Sequence, residues 1–284
     1  MEPSFILSLA TDIVSDISSQ PIQEAIAILR RDMRAMLTAS EAKNRVHIVA
    51  DDTLSSEQYS IAVLPREIQV RCADDLGAVY GLLAISEQFL GIYPLDWWHE
   101  IQRPSMPSKE IPQQTITSPA QAVRFRGWFV NDEVLLEGWH QSISDRFAVW
   151  KRIFETLLRC HGNMVIAGTD RLHDGDALID LASSMGLWIT QHHAELLGAK
   201  MFSRVYPDQT PSYTEHPELF EQLWRDSVHR LNGKKVVWAI GYRGQGDMAF
   251  WHSDAAAGTD AATRGAYVGR IMRRQMAIVR EQDP

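Results

Sequence analysis

Short apolar runs and longer amphipathic stretches alternate along the first ninety positions of the chain. The short runs predict strands at residues 5–9, 46–49, 59–64 and 68–72. Apolar residues every three or four positions predict a helix that Pro21 opens, and Asp74 and Asp75 begin a second helix that runs to about residue 90. Pro65 lies between the last two strands, where proline favours a tight turn, so we expect a hairpin. This alternation predicts a small α/β domain.

Proline then marks a boundary between two parts of the chain. Five prolines recur between residues 91 and 120, at positions 94, 104, 107, 112 and 119. Such a segment excludes an interior helix and a central strand. We therefore predict a first domain at residues 1–115, which ends in this proline-rich connector, and a second domain at residues 116–284.

A strand followed by a helix recurs four times in the second domain. The predicted strands are residues 123–130, 164–167, 187–190 and 236–240, and the helices are residues 144–161, 176–185, 217–231 and 261–281. Four such units in succession predict parallel strands with right-handed crossovers. About 165 residues follow position 119, whereas a closed eight-stranded barrel takes roughly 250. The second domain is therefore either an open doubly wound sheet or the first half of a barrel.

Dense polar clusters follow three of these strands. Asn131, Asp132 and Glu133 end the first strand, residues 191–195 follow the third, and residues 242–247 follow the fourth. Barrels and open α/β sheets both bind ligands at the carboxyl ends of strands, but an open sheet usually carries a glycine-rich turn after its first strand. The triplet contains no glycine. The sequence therefore favours an incomplete (β/α)8 TIM-type barrel made of the first four β-α units.

The clusters combine carboxylates, histidines and an arginine, which suit acid/base chemistry on a polar or acidic substrate. Each cluster also has a simpler explanation. Polar residues such as those at 131–133 often cap the N-terminus of a helix. The segment from Arg243 to Asp247 could be a simple turn with an ion pair across it. His192, His193 and Glu195 could bind a metal, but adjacent histidines on an extended chain point to opposite sides, so we predict no metal site.

Charge and composition narrow the range of partners. Acidic residues outnumber basic ones by 36 to 28 and no basic patch is segregated, so we expect neither nucleic acid nor a membrane surface as a partner. Hydrophobic residues at 45% and charged residues at 23% are typical of a folded globular protein. No apolar stretch approaches the roughly 18 residues of a membrane span and no signal peptide is seen. This predicts a cytoplasmic location, or a secreted one if a leader has been removed.

Several segments carry a family resemblance. They are residues 125–133 (Phe-Arg-Gly-Trp-Phe-Val-Asn-Asp-Glu) with Gly138-Trp139 downstream, residues 193–195 (His-Ala-Glu) and residues 240–247 (Ile-Gly-Tyr-Arg-Gly-Gln-Gly-Asp), preceded by residues 77–81, 86–87 and 91–98. In this order they resemble glycoside hydrolase family 115, the xylan α-1,2-glucuronidases. The sequence departs from the family at Tyr242 and Gln245, where Met and Asp are usual, and at Leu196-Leu197, where Pro-Met is usual.

The resemblance implies inverting hydrolysis of (4-O-methyl)glucuronate side chains from xylan or its oligosaccharides, with no cofactor. It implies that Asp247 and Asp132 are catalytic carboxylates. The substrate-binding residues that it implies are His193, Arg243, Asn131, Glu133 and Glu195. The family's barrel continues with an Asp-Asp-Asn run and further acidic residues, so we expect an incomplete catalytic pair here. An incomplete barrel leaves strand edges and apolar surface uncovered, which predicts a homo-oligomer or aggregation.

Two alternatives stay open at this point. One is a non-catalytic or truncated protein that binds an acidic sugar, and the other is a two-domain glycosidase of the hexosaminidase-like type. A reading frame that continues beyond Pro284 with an Asp-Asp-Asn segment would favour the enzyme.

Overall fold

The computed structural model describes residues 4–40, 43–131, 135–136, 146–169 and 175–282. In chain order, its strands and helices are β1 (Phe5–Leu7), β2 (Asp12–Ser15), α1 (Gln20–Met36), β3 (Arg45–Ala50), β4 (Tyr59–Val63), β5 (Glu67–Cys72), α2 (Asp75–Leu90), β6 (Lys109–Ile111), β7 (Gln114–Thr117), β8 (Gly127–Phe129), α3 (Arg146–Arg159), β9 (Met164–Ile166), α4 (Gly175–Ser184), β10 (Trp188–Thr190), α5 (Phe202–Val205), α6 (Pro217–Leu231), β11 (Val236–Val237) and α7 (Ala261–Gln282). Short 3₁₀ helices lie at Leu196–Gly198, Phe250–His252 and Ala255–Ala257.

The chain forms two compact units, and this mixed α/β architecture agrees with the predicted fold class. The first unit comprises Met1–Trp128, His140–Asn163 and Asp180–Leu187. The second unit comprises Phe129–Trp139, Met164–Ile179 and Trp188–Pro284. None of the helices in the described ranges is both long enough and apolar enough to cross a membrane.

A mixed five-stranded sheet lies in the first unit. Its order is β2-β3-β5-β4-β7, with β2, β3 and β5 parallel and with β4 antiparallel to β5 and β7. The register sets buried Val46 opposite buried Ile68, and β1 pairs separately with β6. The predicted hairpin is confirmed, because the backbone N–H of Leu64 donates to the carbonyl of Glu67 across the turn at 2.8 Å.

Three strands of the first unit are absent from the sequence prediction. β2, β6 and β7 contain only three or four residues each, too few to show a period. β7 lies at an edge of the five-stranded sheet and β6 belongs to a two-stranded pair. Neither is a central strand, which is why the prolines of this segment are tolerated beside them. The domain boundary near residue 115 stays a prediction.

Helix α2 is buried on nearly every side. Residues 76–86 are all buried, together with Phe89 and Leu90. The Asp74 side chain caps the helix by accepting from the Gly77 N–H at 2.9 Å, and Gly91 ends it at φ 71°, a left-handed conformation that glycine adopts without strain. A helix that is apolar all round belongs in a core, and α2 packs against α1, β4 and β5.

Two glycines allow α2 to approach the sheet closely. A Cβ at Gly77 would lie 2.5 Å from the carbonyl oxygen of Gln58, and a Cβ at Gly81 would lie 2.6 Å from Cγ1 of Val70. Both glycines belong to the segment 77–81 that carries part of the family resemblance. Close contact between helix and sheet therefore gives that motif a physical basis.

Gly77→Ala is expected to lower the free energy of unfolding by about 1–3 kcal/mol, because the Gln58 oxygen belongs to backbone that cannot move freely. Gly265→Ala in α7 is the matched control, since the space around Gly265 is open. That change is expected to stabilise by up to about 1 kcal/mol through helix propensity. Urea unfolding followed by circular dichroism measures both, and equal effects of the two variants would contradict the packing argument.

Buried charged side chains join three helices of the first unit. Arg31 of α1 donates to both carboxylate oxygens of Glu155 on α3, at 2.7 and 2.8 Å. Arg159 of α3 donates to Glu155 at 2.9 Å and also to Asp32 of α1. Ser86 of α2 donates to the same Asp32 carboxylate at 2.8 Å. The side chains of Asp32, Glu155 and Arg159 are at most 5% exposed, so this network is part of the core.

A four-stranded sheet with the order β11-β10-β9-β8 follows. Strands that follow one another in the sequence are thus neighbours in this sheet, and β9, β10 and β11 are parallel as predicted. Aromatic side chains fill the core of the second unit: Phe202, Phe220, Trp224, Tyr242 and Tyr267. The ring centroids of Phe202 and Phe220 lie 4.2 Å apart.

Candidate functional site

Three predicted site residues meet in the segments that follow β10 and β11. Arg243 Nη2 donates to Asp247 Oδ1 at 2.7 Å, and His193 Nε2 lies 3.3 Å from the same oxygen. Their side chains are 40%, 89% and 49% exposed, in the order Arg243, Asp247, His193. An ion pair open to solvent contributes little to stability. These groups can therefore exchange their mutual contacts for contacts with a ligand.

Backbone contacts hold the segment that carries Arg243. The N–H of Gly241 donates to Gln275 Oε1 and its carbonyl accepts from Gln275 Nε2, both at 2.8 Å. Gln275 lies fully buried in α7, so it anchors the start of the segment. Further along, Arg243 Nε donates to the carbonyl of Gly246 at 3.2 Å, and Gly246 has φ 60°. Glycine adopts this left-handed backbone conformation without strain, so it suits the turn.

Both departures from the family pattern in this segment make structural contacts. Tyr242 is 9% exposed, and its hydroxyl accepts from the N–H of Tyr213 at 3.0 Å. Burial raises the pKa of Tyr242, which keeps the hydroxyl neutral. Gln245 Oε1 accepts from the N–H of Ser203 at 2.8 Å. These side chains tie the segment to neighbouring parts of the second unit.

His192 and His193 lie against each other, with ring centroids 3.8 Å apart. The prediction that these rings point to opposite sides is therefore wrong. The chain turns here instead of extending, because the N–H of Glu195 donates to the carbonyl of His192 at 2.9 Å. Glu195 Oε1 lies 3.8 Å from His192 Nδ1, and Phe129 lies 5.1 Å from the His192 ring.

A cleft at the carboxyl ends of β9 and β10 adjoins this histidine pair. Polar residues that line it are Thr169, Asp176, Gln191, His192, Glu195, Lys200 and Arg230. Gln191 Oε1 accepts from the N–H of Ala239 at 2.6 Å, while its buried Nε2 has no partner within the described part of the chain. Arg230 lies 3.2 Å from Asp176. A buried amide donor left over beside carboxylates and a histidine is typical of a polar ligand site.

The sequence analysis assigns no site role to four residues of this cleft: Asp176, Gln191, Lys200 and Arg230. Gln191 stands directly before His192, so its place in a strand-end cluster was a usable signal. The other three lie on helices or in loops, where spacing along the chain carries no such signal.

Two of the remaining predicted site residues lie outside the part of the chain that the structure describes. Asn131 is exposed just after β8, whereas Asp132 and Glu133 lie outside the described residues. The roles of the predicted residues stay predictions. Among the described residues, no three His, Cys, Asp or Glu side chains are grouped as around a metal ion.

Polar clusters at the ends of parallel strands, with carboxylates and an arginine, are an arrangement typical of enzymes that act on polar substrates. The family model for glycosyl hydrolase family 115 matches residues 118–283. This match covers more than half of the sequence, so the chain belongs to glycosyl hydrolase family 115, and the predicted resemblance is confirmed. No curated protein matches the chain.

Solved structures show a similar fold over both units. A family GH115 4-O-methyl-α-glucuronidase, BtGH115A, with specificity for decorated arabinogalactans, is 19% identical with a TM-score of 0.79, over 98% of this chain and 41% of that chain. Flavobacterium johnsoniae chitobiase (FjGH20) is 13% identical with a TM-score of 0.59, over 98% of this chain and 50% of that chain. This chain thus spans half or less of the length of these relatives.

Proposed function

We propose that this chain carries part of a glycosidase site that binds a (4-O-methyl)glucuronate side chain of xylan and supports its hydrolysis with inversion. The observation that carries the proposal is the cluster in which Arg243 and His193 share one oxygen of Asp247. Family membership supports hydrolysis of a glycosidic bond. The activity of BtGH115A supports a methylated glucuronate as the sugar.

Arg243 is the proposed partner of the uronate carboxylate. A guanidinium carries five N–H groups, and Arg243 uses one on Asp247 and one on the Gly246 carbonyl. The remaining donors suit both oxygens of a carboxylate at once. His193, which contacts the same Asp247 oxygen, is the proposed donor of a further hydrogen bond to the sugar.

Asp247 is the proposed base or water-orienting carboxylate. Within the described part of the chain, its contacts use Oδ1, and Oδ2 is open to a water molecule. In an inverting reaction the base takes a proton from water as the water oxygen attacks the anomeric carbon, and an acid protonates the leaving oxygen. The two carboxyl groups stand about 6.5–9.5 Å apart in such a site. Asp132, which follows β8, is the proposed second carboxylate.

We infer that β8 to β11 form the first four strands of a (β/α)8 barrel wall. Their neighbour order and the clusters at their carboxyl ends support this arrangement.

Arg243→Ala is expected to weaken glucuronate binding about tenfold to a hundredfold, since loss of a charged hydrogen-bond partner costs on the order of 1.5–3 kcal/mol. Titration calorimetry with glucuronate and with xylose measures the effect. Xylose lacks the carboxylate, so it should bind more weakly than glucuronate to the unchanged protein and should respond little to the variant.

Arg273→Ala is the matched control, because Arg273 is an exposed arginine on α7 outside the cluster. It should leave glucuronate affinity unchanged. Equal affinity for both sugars, or an Arg243→Ala protein that binds as many glucuronate molecules per chain as the unchanged protein and with the same affinities, would show the pocket assignment to be wrong. Binding of glucuronate without release from glucuronoxylan would favour the alternative of an acidic-sugar-binding protein.

A further inference from the structure

The first unit contains a charged cleft of its own, with a volume of about 520 Å³. It lies between α1, α3 and the segment 92–103. Its charged lining consists of four arginines and three carboxylates: Arg31, Arg103, Arg152, Arg159, Asp32, Asp96 and Glu155. All of these residues belong to the first unit. The lining therefore carries more positive than negative groups.

The carboxylates of this cleft already have hydrogen-bond donors. Asp32 and Glu155 belong to the buried network of α1 and α3, and Arg152 adds a bond to Glu155 at 3.2 Å. Asp96 lies 2.7 Å from one terminal nitrogen of Arg103 and accepts from the other at 3.2 Å. The acceptors are thus occupied, while four guanidinium groups offer many more donors than these bonds use.

Arg159 leaves one of these donors without a partner in the core. Its side chain is 3% exposed, and among the described residues no atom accepts from its Nη1. A buried charged donor that makes no hydrogen bond is costly, so it calls for an acceptor. Burial also lowers the pKa of Arg152, and the charges of Arg31 and Arg159 lower it further although Glu155 opposes them. The positive charge of this cleft is therefore only partly compensated.

Aromatic rings hold two of the arginines at the cleft. The Arg152 guanidinium lies 5.5 Å from the centre of the Trp97 ring, and that of Arg103 lies 5.2 Å from the centre of the Tyr93 ring. Such cation–π contacts fix the planes of long side chains that would otherwise be free to rotate. The donors are thus set in place before any ligand arrives, which lowers the entropy that binding costs.

We propose that this cleft binds a compact oxyanion, the phosphate or carboxylate group of a small molecule, between Arg152 and Arg159. Guanidinium groups match the oxygen spacing of both anions, and the surplus positive charge favours a ligand with at least one negative charge. A neutral sugar would leave that charge uncompensated. The site is separate from the proposed glycosidase site and does not depend on it.

The test is titration calorimetry of Arg243→Ala protein, in which the glycosidase site is weakened, with inorganic phosphate, glucuronate and xylose at constant ionic strength. One phosphate or one glucuronate is expected to bind saturably per chain, and xylose is not. Adding Arg152→Gln should weaken that binding about tenfold. Arg152 suits the test because its side chain is 26% exposed and makes one bond to Glu155, so the buried network persists without it.

Arg30→Gln is the matched control, since Arg30 lies on α1 beside Arg31 but does not line the cleft. It should leave oxyanion binding unchanged. Arg103→Gln serves as a second variant if Arg152→Gln fails to fold by circular dichroism.

Binding of phosphate alone identifies a phosphate ligand, and binding of glucuronate alone identifies a carboxylate. Binding of both supports a general oxyanion site. The proposal is overturned if neither anion binds saturably, if xylose binds as well as glucuronate, or if the folded variant keeps full affinity.

Discussion

Arg159→Ala is expected to lower the free energy of unfolding by about 3–5 kcal/mol, because removing one member of a buried charge network leaves its partners uncompensated. Asp32 would then keep Arg31 as its arginine partner, and Glu155 would keep Arg31 and the partly exposed Arg152. Urea unfolding followed by circular dichroism measures the change. Arg45→Ala is the control, since Arg45 is 57% exposed in its pair with Glu67 and should cost less than about 1 kcal/mol.

Lowering the pH should reduce the difference in free energy of unfolding between the wild-type protein and Arg159→Ala. Burial by itself raises the pKa of Glu155, but hydrogen bonds from Arg31 and the charges of Arg159, Arg31 and Arg152 outweigh it and lower the pKa to about 2. A carboxyl whose folded pKa is lowered stabilises the protein above its unfolded pKa, and this stabilisation disappears as pH falls through the folded pKa. The gap should therefore shrink between about pH 4.5 and 2. A gap that stays constant over this range would contradict the role of the ionised Glu155.

Phe202→Ala is expected to destabilise the second unit by about 3–5 kcal/mol, the usual cost of a large cavity in a packed core. Phe202 is 2% exposed, and its ring packs against those of Phe220, Tyr206 and His216. The loss should show in urea unfolding followed by tryptophan fluorescence, because Trp224 lies in the same aromatic core.

Met248→Ala is the control for this substitution. Met248 is also a large apolar residue of the second unit, but it is 58% exposed. Its truncation should change the free energy of unfolding by no more than about 0.5 kcal/mol. Similar losses from both truncations would show that Phe202 does not contribute through packing.

Long helices could be predicted from the sequence because their signals are local. Apolar spacing, with Pro21 and the acidic pair Asp74-Asp75, gives the starts of α1 and α2 to within one residue. The predicted bounds of α6 are the observed ones. Strand-end clusters could also be predicted, because parallel neighbours present their carboxyl ends at one edge. His193 and Asp247 follow neighbouring strands and are in contact, although 54 positions separate them in the sequence.

Features that depend on tertiary packing could not be predicted in this way. Arg31 and Glu155 meet across 124 positions, and nothing in the spacing of either helix marks them as partners. The wrong orientation for His192 and His193 has a similar cause. A single turn bond to the His192 carbonyl decides whether that segment extends, and periodicity does not encode it.

The first unit consists of three separate stretches of the chain, and the last of them ends at Leu187. A ribosome therefore releases β9 before it has made the last stretch of that unit. Helix α2 is complete at Leu90, yet the Gly162 carbonyl that accepts from its Tyr80 hydroxyl at 3.0 Å emerges about seventy residues later. During synthesis, the face of α2 that contacts α3 stays uncovered until α3 has been made, and the first unit reaches its full packing only after part of the second unit has been made.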